Sequence, residues 1–473
     1  MIPVRTFEGR DVAVFGLART GLAAARALKA GGARVHAWDD SEKTRAAAEA
    51  EGVELSDINA MGWGSFAALV LSPGVPLTHP EPHRIVALAK ATGVPIIGDI
   101  ELLAREVNAT PPAQRPKVIG ITGTNGKSTE TALIGHILAE AGKDVRMGGN
   151  IGRAVLDLAP LHAGAYYVLE LSSYQLDLTD ELRCDVAIWM NITPDHLDRH
   201  GDMKGYVAAK KRIFANQGAG DFAIIGVDDD ISSAVCTEAM IGARIVTPIS
   251  SRLALSKGVC AIGSKLFDAT GPRADMVADL ANAPALQGRH NGQNAAAAYA
   301  ACRALNIEPR IIAKGLESFP GLAHRLENVA TVQGVRFVND SKATNADAAA
   351  QALAVWPRVY WIAGGLSKEG GIEPLRRFFP RLAGTYLIGK SAESFAKTLE
   401  GRENIHLCGD LETATAKAFA DAKASGEKDP IVLLSPAAAS QDQFKDFEDR
   451  GDQFKAIVTR LGEEKPKKRS GQT

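Results

Sequence analysis

A glycine-rich turn lies between an apolar segment and a helical pattern, in the stretch VIGITGTNGKST followed by ETALIGHILAEAG. Gly123 and Gly126 allow backbone N–H groups to turn towards an anion, and the helix that follows adds the positive end of its dipole. Lys127 is placed to reach the β- and γ-phosphates of a nucleotide, and Ser128 is placed to bind Mg²⁺. Ile121 stands where the strict phosphate-loop pattern has its first glycine, so the sequence predicts a shorter variant of that loop.

Two more polar groups follow apolar segments in the same part of the chain. Glu170 ends the run YYVLE, where a buried carboxylate is costly unless it meets a cation, so it is a candidate Mg²⁺ ligand. His196 and Asp198 lie in NITPDHLDRH, after the run CDVAIWM. A histidine at the carboxyl end of a buried strand lies where α/β sheets bind ligands. Zinc is disfavoured, because no cysteine has the spacing of a zinc site.

The segment GLARTG, which follows DVAVF, has the outline of a dinucleotide-binding fingerprint. Asp39 and Asp40 come about 20 residues later, where that fingerprint has an acidic residue. Ala18 replaces the middle glycine that lets a pyrophosphate approach the backbone, which disfavours this interpretation. Asp39 is also an ordinary residue for a turn at the end of a strand.

The pattern along the whole chain predicts the scaffold that positions these groups. Short apolar runs alternate with alanine-rich helical stretches, which is typical of βα units around parallel sheets. We therefore predict an α/β protein with three domains. They are a Rossmann-like N-terminal domain at 1–98, a central phosphate-loop ATPase domain at 99–321 and a Rossmann-like C-terminal domain at 322–473.

Composition narrows the classes of function. The 473 residues carry a formal net charge of −1, which argues against a broad nucleic-acid surface. No apolar run approaches the ~20 residues that span a bilayer, and the N-terminus lacks the layout of a signal peptide. The five cysteines are scattered and lack a CxxC pair, which suits reduced thiols. We expect a cytoplasmic monomer without nucleic-acid or membrane partners.

Several motifs occur in the order in which the Mur ligases have them, and the chain resembles that family from Gly16 to Phe454. The motifs are GTNGKST, ELSSYQL, NITPDHLDRH, YVAAKKRIF, GRHNGQNAAAA, FPGLAHRLE, NDSKATN and SPAAASQDQF. GTNGKS marks the whole superfamily, which includes the folylpolyglutamate synthases. NDSKATN and SPAAASQDQF are more specific, because sister ligases differ there.

The resemblance implies an ATP-dependent amide ligation. ATP would phosphorylate the carboxylate of UDP-N-acetylmuramoyl-L-alanine (UDP-MurNAc-L-alanine), and the amine of D-glutamate would then displace phosphate from the acyl phosphate. Phosphoryl transfer of this kind depends on alignment and charge neutralisation more than on covalent help from the protein. ATP would lie between the second and third domains, so that closure of the third domain completes the site.

The resemblance also assigns residues to ATP and magnesium. The implied ATP contacts are Gly123, Thr124, Asn125, Gly126, Lys127, Ser128, Thr129, Asn291, Asn294, Arg325 and Asp340. The implied ligands of two Mg²⁺ ions are Ser128, Glu170, His196 and Lys210. The implied catalytic residues are Lys127, His196 and Lys210.

Two further sets of residues are implied for the other substrates. The UDP-substrate contacts are Gly16, Asp39, Asp40, Ser72, Pro73, Gly74, Asn150, Ser172 and Gln175. The D-glutamate contacts are His324, Lys342, Thr344, Lys368, Ser440 and Phe447. The resemblance also implies a nucleotide contact for His324. Ser41 and Leu366 stand where well-known relatives have Arg and Asp. These departures leave one uracil-side contact and the role of the glycine loop 364–371 open.

Lys210, in YVAAKKRIF, matches the position at which the family's ligases carry a carbamylated lysine. An ammonium facing two Mg²⁺ ions would repel them, whereas a neutral amine adds CO₂ to give a carbamate. A carbamate is an oxygen anion suited to Mg²⁺. Lys211 is the exposed neighbour, and we expect it to be an ordinary charge on a helix surface.

Three other functions compete with this interpretation. A sister Mur ligase or a folylpolyglutamate synthase is disfavoured by NDSKATN and SPAAASQDQF. A Rossmann-type oxidoreductase is disfavoured by Ala18 and by the phosphate loop. A nucleotide-binding protein without chemistry is disfavoured by the combination of Glu170, His196 and Lys210.

Overall fold

The computed structural model of the chain describes residues 1–150, 152–367 and 370–463. Residues Met1–Phe319 form one compact unit, and Pro320–Thr473 form a second. Three sheets connected by helices confirm the predicted α/β class. The domain bounds near 98 and 321 stay predictions.

The first sheet is built from the N-terminal βα units. Its strands are Asp11–Phe15 (β1), Arg34–Trp38 (β2), Ala68–Leu71 (β3) and Ile96–Ile97 (β4), and its helices are Arg19–Ala30 (α1), Glu42–Ala50 (α2), Arg84–Ala91 (α3) and Asp99–Ala109 (α4). The strands are parallel in the order β2-β1-β3-β4. Strand β3 is buried along its whole length, as the continuous apolar run of a parallel strand predicts.

The second sheet carries the phosphate loop. Its strands are Lys117–Thr122 (β5), Asp144–Gly149 (β6), Ala165–Glu170 (β7), Val186–Trp189 (β8), Phe222–Gly226 (β9), Ile245–Ser250 (β10), Val259–Ile262 (β11), Lys265–Asp268 (β12) and Asp275–Asp279 (β13). Its helices are Lys127–Glu140 (α5), Ser173–Leu176 (α6), Leu197–His200 (α7), Met203–Lys211 (α8), Asp230–Ala239 (α9), Arg289–Ala304 (α10) and Pro309–Ser318 (α11). The strand order is β13-β12-β11-β10-β9-β8-β5-β7-β6, and only the pairs β11–β12 and β12–β13 are antiparallel.

The register of the second sheet brings three predicted site segments together. Strand β5 pairs with β7 so that Ile121 lies beside Glu170, and it pairs with β8 so that Thr122 lies beside Trp189. The phosphate loop, Glu170 and the segment that begins at Asn191 therefore leave the same edge of the sheet. This carboxyl edge of parallel strands is where α/β sheets bind ligands.

The first and second sheets share a hydrophobic core. Val12 and Val14 of β1 belong to the same cluster of buried side chains as Tyr167 of β7 and Leu156, which lies between β6 and β7. The N–H group of Ile2 donates to the carbonyl oxygen of Leu156 at 2.8 Å. Close packing of this kind fixes the loops of the two sheets relative to each other.

The third sheet lies in the second compact unit. Its strands are Glu327–Val332 (β14), Val335–Asn339 (β15), Val359–Gly364 (β16), Leu382–Ile388 (β17), Ile405–Gly409 (β18) and Ile431–Leu434 (β19), and its helices are Ala346–Val355 (α12), Ala392–Thr398 (α13), Leu411–Ala424 (α14) and Phe447–Glu463 (α15). The order is β14-β15-β19-β16-β17-β18, with β14 antiparallel to β15. The motifs NDSKATN, GGLSK and SPAAAS follow the neighbouring strands β15, β16 and β19.

The helices of the described residues differ from those that cross a bilayer. None of them combines the length and the apolar character that a membrane-spanning helix needs.

Candidate active site

The phosphate loop connects β5 to α5 in a conformation that only glycine adopts without strain. Gly126 has φ of 86° at the start of the helix, and a Cβ atom there would lie 2.8 Å from Oδ1 of Asn294. The loop is held by the segment that follows β8, because the N–H groups of Thr124 and Asn125 donate to the carbonyl and side-chain oxygens of Asn191. The helix start and the preceding turn therefore form a preorganised anion site.

Lys127 lies at the first position of α5, and its ammonium group stays with the loop. Its Nζ donates to the carbonyl oxygens of Gly123 at 3.0 Å and Thr124 at 2.9 Å. Ser128 follows and is buried, while Thr129 is half-buried. A cation and a hydroxyl are thus present where a nucleotide's phosphates and its metal would bind.

Glu170 has the features expected of a magnesium ligand. The residue is 2% exposed at the end of β7. Its Oε1 accepts a hydrogen bond from Nδ2 of Asn150 at 2.8 Å, but its Oε2 is buried without a hydrogen-bond partner among the described residues. An unpaired buried carboxylate oxygen is costly, and a hard cation would satisfy it. Within the described residues, no group of three or more His, Cys, Asp and Glu side chains forms a preassembled metal site. Glu170 and its neighbours therefore fit a Mg²⁺ ion that takes some of its ligands from the protein and the others from ATP.

His196 lies in a left-handed turn, with φ of 53°, directly before α7. Its Nδ1 lies 3.0 Å from the hydroxyl of Tyr174, and its Nε2 lies 3.4 Å from Oδ2 of Asp195. A non-glycine residue in this conformation indicates that the surrounding contacts impose the turn. The tyrosine orients the imidazole, a contact that the sequence did not predict.

Lys210 is buried beside the phosphate loop. It is 2% exposed, and its Nζ donates to the carbonyl oxygen of Gly123 at 2.9 Å and to Oγ1 of Thr122 at 3.3 Å. Burial, and after it the charge of Lys127, lowers the pKa of this amine to about 7. A large part of the Lys210 side chains is therefore neutral near neutral pH.

Lys211 differs from its neighbour in both exposure and pairing. Its side chain is 34% exposed, and its Nζ pairs with both carboxylate oxygens of Glu238, at 2.5 and 2.6 Å. Lys211 is therefore a charge on the helix surface, as the sequence predicts, and it forms an ordinary ion pair there. Such surface pairs contribute little to stability.

Asn291 and Asn294, the two asparagines of GRHNGQN, lie at the start of α10, close to the phosphate loop. Both are buried, and Nδ2 of Asn294 donates to Oδ1 of Asn291 at 2.9 Å. Asn294 also lies beside Gly126, where its side-chain oxygen occupies the space that a Cβ atom would need. The structure therefore brings Asn294 to the loop directly and Asn291 one helical turn away.

The residues predicted for the UDP end meet at the carboxyl edge of the first sheet. Both carboxylate oxygens of Asp39 accept backbone hydrogen bonds, from Leu17 at 2.7 Å and from Ser41 at 2.8 Å. The hydroxyl of Ser72 donates to the carbonyl oxygen of Gly16 at 2.6 Å. Asp39 therefore already serves as the turn residue that the sequence offered as an alternative. Asp40 is tied separately, to Arg84 at 2.7 Å.

Asn150, Ser172 and Gln175 lie on the second sheet, near the end of β7. Ser172 and Gln175 form a reciprocal capping box at the start of α6, so both have a structural role as well. Arg19, from GLARTG, donates to the carbonyl oxygen of Asn150 at 2.9 Å and to that of Gly152 at 2.5 Å. This arginine joins the two sheets at the predicted UDP site, and no sequence pattern indicated that role.

The second compact unit holds the remaining predicted residues. His324 is buried with φ of 61°, and its Nδ1 lies 3.1 Å from Nδ2 of Asn339. Asp340 accepts from the hydroxyl of Ser435 at 2.8 Å, and burial raises the pKa of its carboxyl to about 7. Arg325 lies half-buried in the same turn as His324.

Two of the predicted D-glutamate residues of this unit, Lys342 and His324, lie beside the ring of Phe447. Nζ of Lys342 lies 4.6 Å from the centroid of the Phe447 ring, and the N–H group of Thr344 donates to the carbonyl oxygen of Lys342. The hydroxyl of Ser440 is buried, and it has no hydrogen-bond partner in the part of the chain that the structure describes. Lys368 lies outside the described residues.

Arg450 supports this group of loops and was not predicted. It is fully buried, and it donates to Oγ and the carbonyl oxygen of Ser341 and to the carbonyl oxygen of Ala438, at 2.9, 2.8 and 3.1 Å. Burial lowers its pKa to about 10. One guanidinium thereby holds NDSKATN and SPAAASQDQF together.

Comparison with family models and curated proteins identifies relatives over almost the entire chain. The Mur ligase middle domain matches residues 121–302, and the Mur ligase, glutamate ligase domain matches residues 324–438. The UDP-N-acetylmuramoylalanine–D-glutamate ligase of Caulobacter sp. (strain K31) is 60% identical over 463 residues, covering 98% of each chain. The protein of the same name from Chelativorans sp. (strain BNC1) is 51% identical, again over 98% of each chain.

Solved structures agree at the level of the fold. The UDP-N-acetylmuramate-alanine ligase MurC of Thermotoga maritima is similar with a TM-score of 0.56 and 15% identity, covering 95% of this chain and 99% of that one. MurF of Acinetobacter baumannii is similar with a TM-score of 0.54 and 19% identity, covering 81% and 88%. The chain therefore belongs to the Mur ligase family, in the group of its relatives named UDP-N-acetylmuramoylalanine–D-glutamate ligases.

Proposed function

We propose that the protein joins D-glutamate to UDP-MurNAc-L-alanine with cleavage of ATP to ADP and phosphate, in the synthesis of peptidoglycan precursors. Full-length relatives of 60% identity are named UDP-N-acetylmuramoylalanine–D-glutamate ligases, and this name supports the assignment of both substrates. The observation that carries the chemistry is the cluster at the edge of the second sheet. There the loop cation Lys127, the unpaired oxygen of Glu170 and the buried amine of Lys210 lie around one phosphate loop.

The reaction proceeds in two steps. A carboxylate oxygen of UDP-MurNAc-L-alanine attacks the γ-phosphorus of ATP, and ADP leaves with the bridging oxygen. The amine of D-glutamate then attacks the acyl carbon, phosphate leaves, and the new amide nitrogen loses a proton. The loop N–H groups and Lys127 hold the phosphates in line and offset the charge that develops on them.

Two Mg²⁺ ions are part of this proposal. Ser128 and Glu170 would hold the ion at the β- and γ-phosphates, and His196 with modified Lys210 would hold the ion at the reacting carboxylate. Bound magnesium supplies positive charge next to both reacting oxygen groups. The unpaired Oε2 of Glu170 and the oxygen-rich donor set support this assignment.

Lys210 would enter the site as a carbamate. Its neutral amine adds CO₂, so that an N–C bond forms and one proton is released. Burial and a pKa near 7 support this step, because they keep a neutral nucleophilic amine available. Lys211 lacks both features, since its ammonium is paired with Glu238.

The UDP-substrate and D-glutamate are assigned to different groups of loops. The UDP end would bind between Gly16, Asp39 and loop 72–75 on the first sheet and Asn150, Ser172 and Gln175 on the second. D-Glutamate would bind among Lys342, Thr344, Ser440 and Phe447, and the unpaired hydroxyl of Ser440 supports a polar ligand there. We also propose that the enzyme works as a monomer in the cytoplasm, and the five free cysteines support the cytoplasmic location.

Phosphate release by the purified protein tests this function. We expect release only when ATP, Mg²⁺, UDP-MurNAc-L-alanine and D-glutamate are all present, because the acyl phosphate forms on the carboxylate of the first substrate and loses phosphate when the amine of the second attacks it. L-Glutamate should be a far poorer substrate, since its amine and carboxylates do not match the same positions together. Equal rates with the two enantiomers would contradict the proposed substrate, and a requirement for another amino acid would indicate a sister ligase.

A further inference from the structure

Arg199 connects the second sheet to a loop of the first. The residue belongs to α7, close to His196, and is 5% exposed. Its Nη2 donates to the carbonyl oxygens of Val75 at 2.5 Å and Pro73 at 3.2 Å. Both carbonyls belong to loop 72–75, which follows β3 and is assigned above to the UDP-substrate.

The other face of Arg199 contacts the residue that orients His196. The guanidinium carbon lies 5.0 Å from the centroid of the Tyr174 ring. The hydroxyl of that tyrosine lies 3.0 Å from Nδ1 of His196, and the two rings are 4.9 Å apart. With the proton on Nδ1 donated to the tyrosine oxygen, Nε2 keeps its lone pair for a ligand. Tyr174 thus contacts both Arg199 and His196.

The bonding of this arginine is unusual for a buried cation. Among the described residues its hydrogen bonds go to backbone carbonyls and to none of the carboxylates, although Asp177 and Asp198 lie near enough to attract its charge. Burial lowers its pKa, which shows that desolvation outweighs this attraction. A desolvated guanidinium bonded to a distant loop restrains that loop strongly, because releasing it would leave a buried charge unpaired.

We propose that Arg199 is a positioning residue that holds loop 72–75 in fixed register with His196. This inference rests on the proposed function, since it takes the loop to bind the UDP-substrate. That substrate extends from its nucleotide to its reacting carboxylate, so a shift of the loop moves the carboxylate away from the phosphate it must attack. Small misplacements of this kind are costly in ligation chemistry.

Calorimetric titration with UDP-MurNAc-L-alanine alone tests the proposal on Arg199→Lys. Lysine keeps the charge but lacks the planar fork that serves two carbonyls, so we expect the Kd to rise about tenfold through loss of a charge-assisted hydrogen bond. Arg115→Lys is the matched control, because Arg115 also donates to two carbonyl oxygens, of Asn108 at 2.5 Å and Thr110 at 2.8 Å. Its Kd should equal that of the wild type.

Steady-state kinetics separates positioning from a general loss of structure. In Arg199→Lys the KM for UDP-MurNAc-L-alanine should rise about tenfold, while the KM values for ATP and D-glutamate stay unchanged. Equal rises for all three substrates would indicate a merely structural role and overturn the proposal. Calorimetry reports the folded fraction as stoichiometry and the affinity separately, and Arg199→Gln, which still donates to one carbonyl, should show the same selective rise.

The failure of this inference is distinguishable from failure of the proposed function. A wild-type protein that does not bind UDP-MurNAc-L-alanine would overturn the proposed function and the role of Arg199 with it. A wild type and an Arg199→Lys variant that bind this substrate equally well would overturn only the role of Arg199.

Discussion

Lys127→Ala is expected to lower turnover by about 100- to 1,000-fold, the effect of removing a single transition-state contact to a developing anion. The ammonium lies within the phosphate loop, where it donates to the carbonyl oxygens of Gly123 and Thr124. It is therefore in place to meet the β- and γ-phosphates when ATP binds. The measurement is the rate of phosphate release with all substrates saturating.

Binding of UDP-MurNAc-L-alanine to Lys127→Ala should match that of the wild type in a calorimetric titration. The proposed UDP contacts belong to loop 72–75, Asp39 and their neighbours, and Lys127 is not among them. Lys143→Ala is a suitable control, and both its turnover and its affinity for the UDP-substrate should match those of the wild type. This exposed lysine lies past the other end of α5, away from the phosphate loop. Loss of affinity for the UDP-substrate in Lys127→Ala would count against this division of the site.

Lys210→Ala is expected to lose most of the activity and to recover part of it in the presence of added acetate or formate. The side chain is 2% exposed and lies against the loop carbonyl of Gly123, so its removal leaves a space beside the reacting groups. A small carboxylate can occupy that space and supply the oxygen anion that the carbamate would supply. The rate of phosphate release with and without the carboxylate measures the recovery.

Lys211→Ala provides the matched control for the carbamate. It removes a lysine from the adjacent position, but one whose ammonium is exposed and paired with Glu238, so activity should stay near that of the wild type. Full activity of Lys210→Ala in buffer depleted of CO₂ would show that the carbamate assignment is wrong.

The fold could be predicted from sequence wherever the pattern was local. The alternation of apolar runs and alanine-rich segments indicated parallel sheets, and the structure has them. The hairpin of β11 and β12 was missed, although Gly263 and Ser264 form the two-residue connection that is typical of such turns. Its strands are only four residues each, and the surrounding parallel pattern concealed their alternation.

The site was predictable to the extent that its chemistry depends on residue type and spacing. The loop glycines, Lys127 and the carboxylate of Glu170 are recognisable in this way. Arg19, Arg199 and Arg450 are not, because each acts on backbone carbonyls that any sequence would provide. Their roles depend on which distant loops the fold brings together, and a lone arginine in a helix gives no signal of that.

The acyl phosphate is the central claim, and oxygen transfer from the substrate tests it most directly. UDP-MurNAc-L-alanine labelled with ¹⁸O in both carboxylate oxygens is converted with unlabelled ATP and D-glutamate, and the released phosphate is analysed by mass spectrometry. Because the carboxylate oxygen that attacks ATP leaves with the phosphoryl group, each phosphate should carry a single ¹⁸O atom and the amide product should retain the other. Unlabelled phosphate, with the label confined to the substrate and the product, would contradict the account.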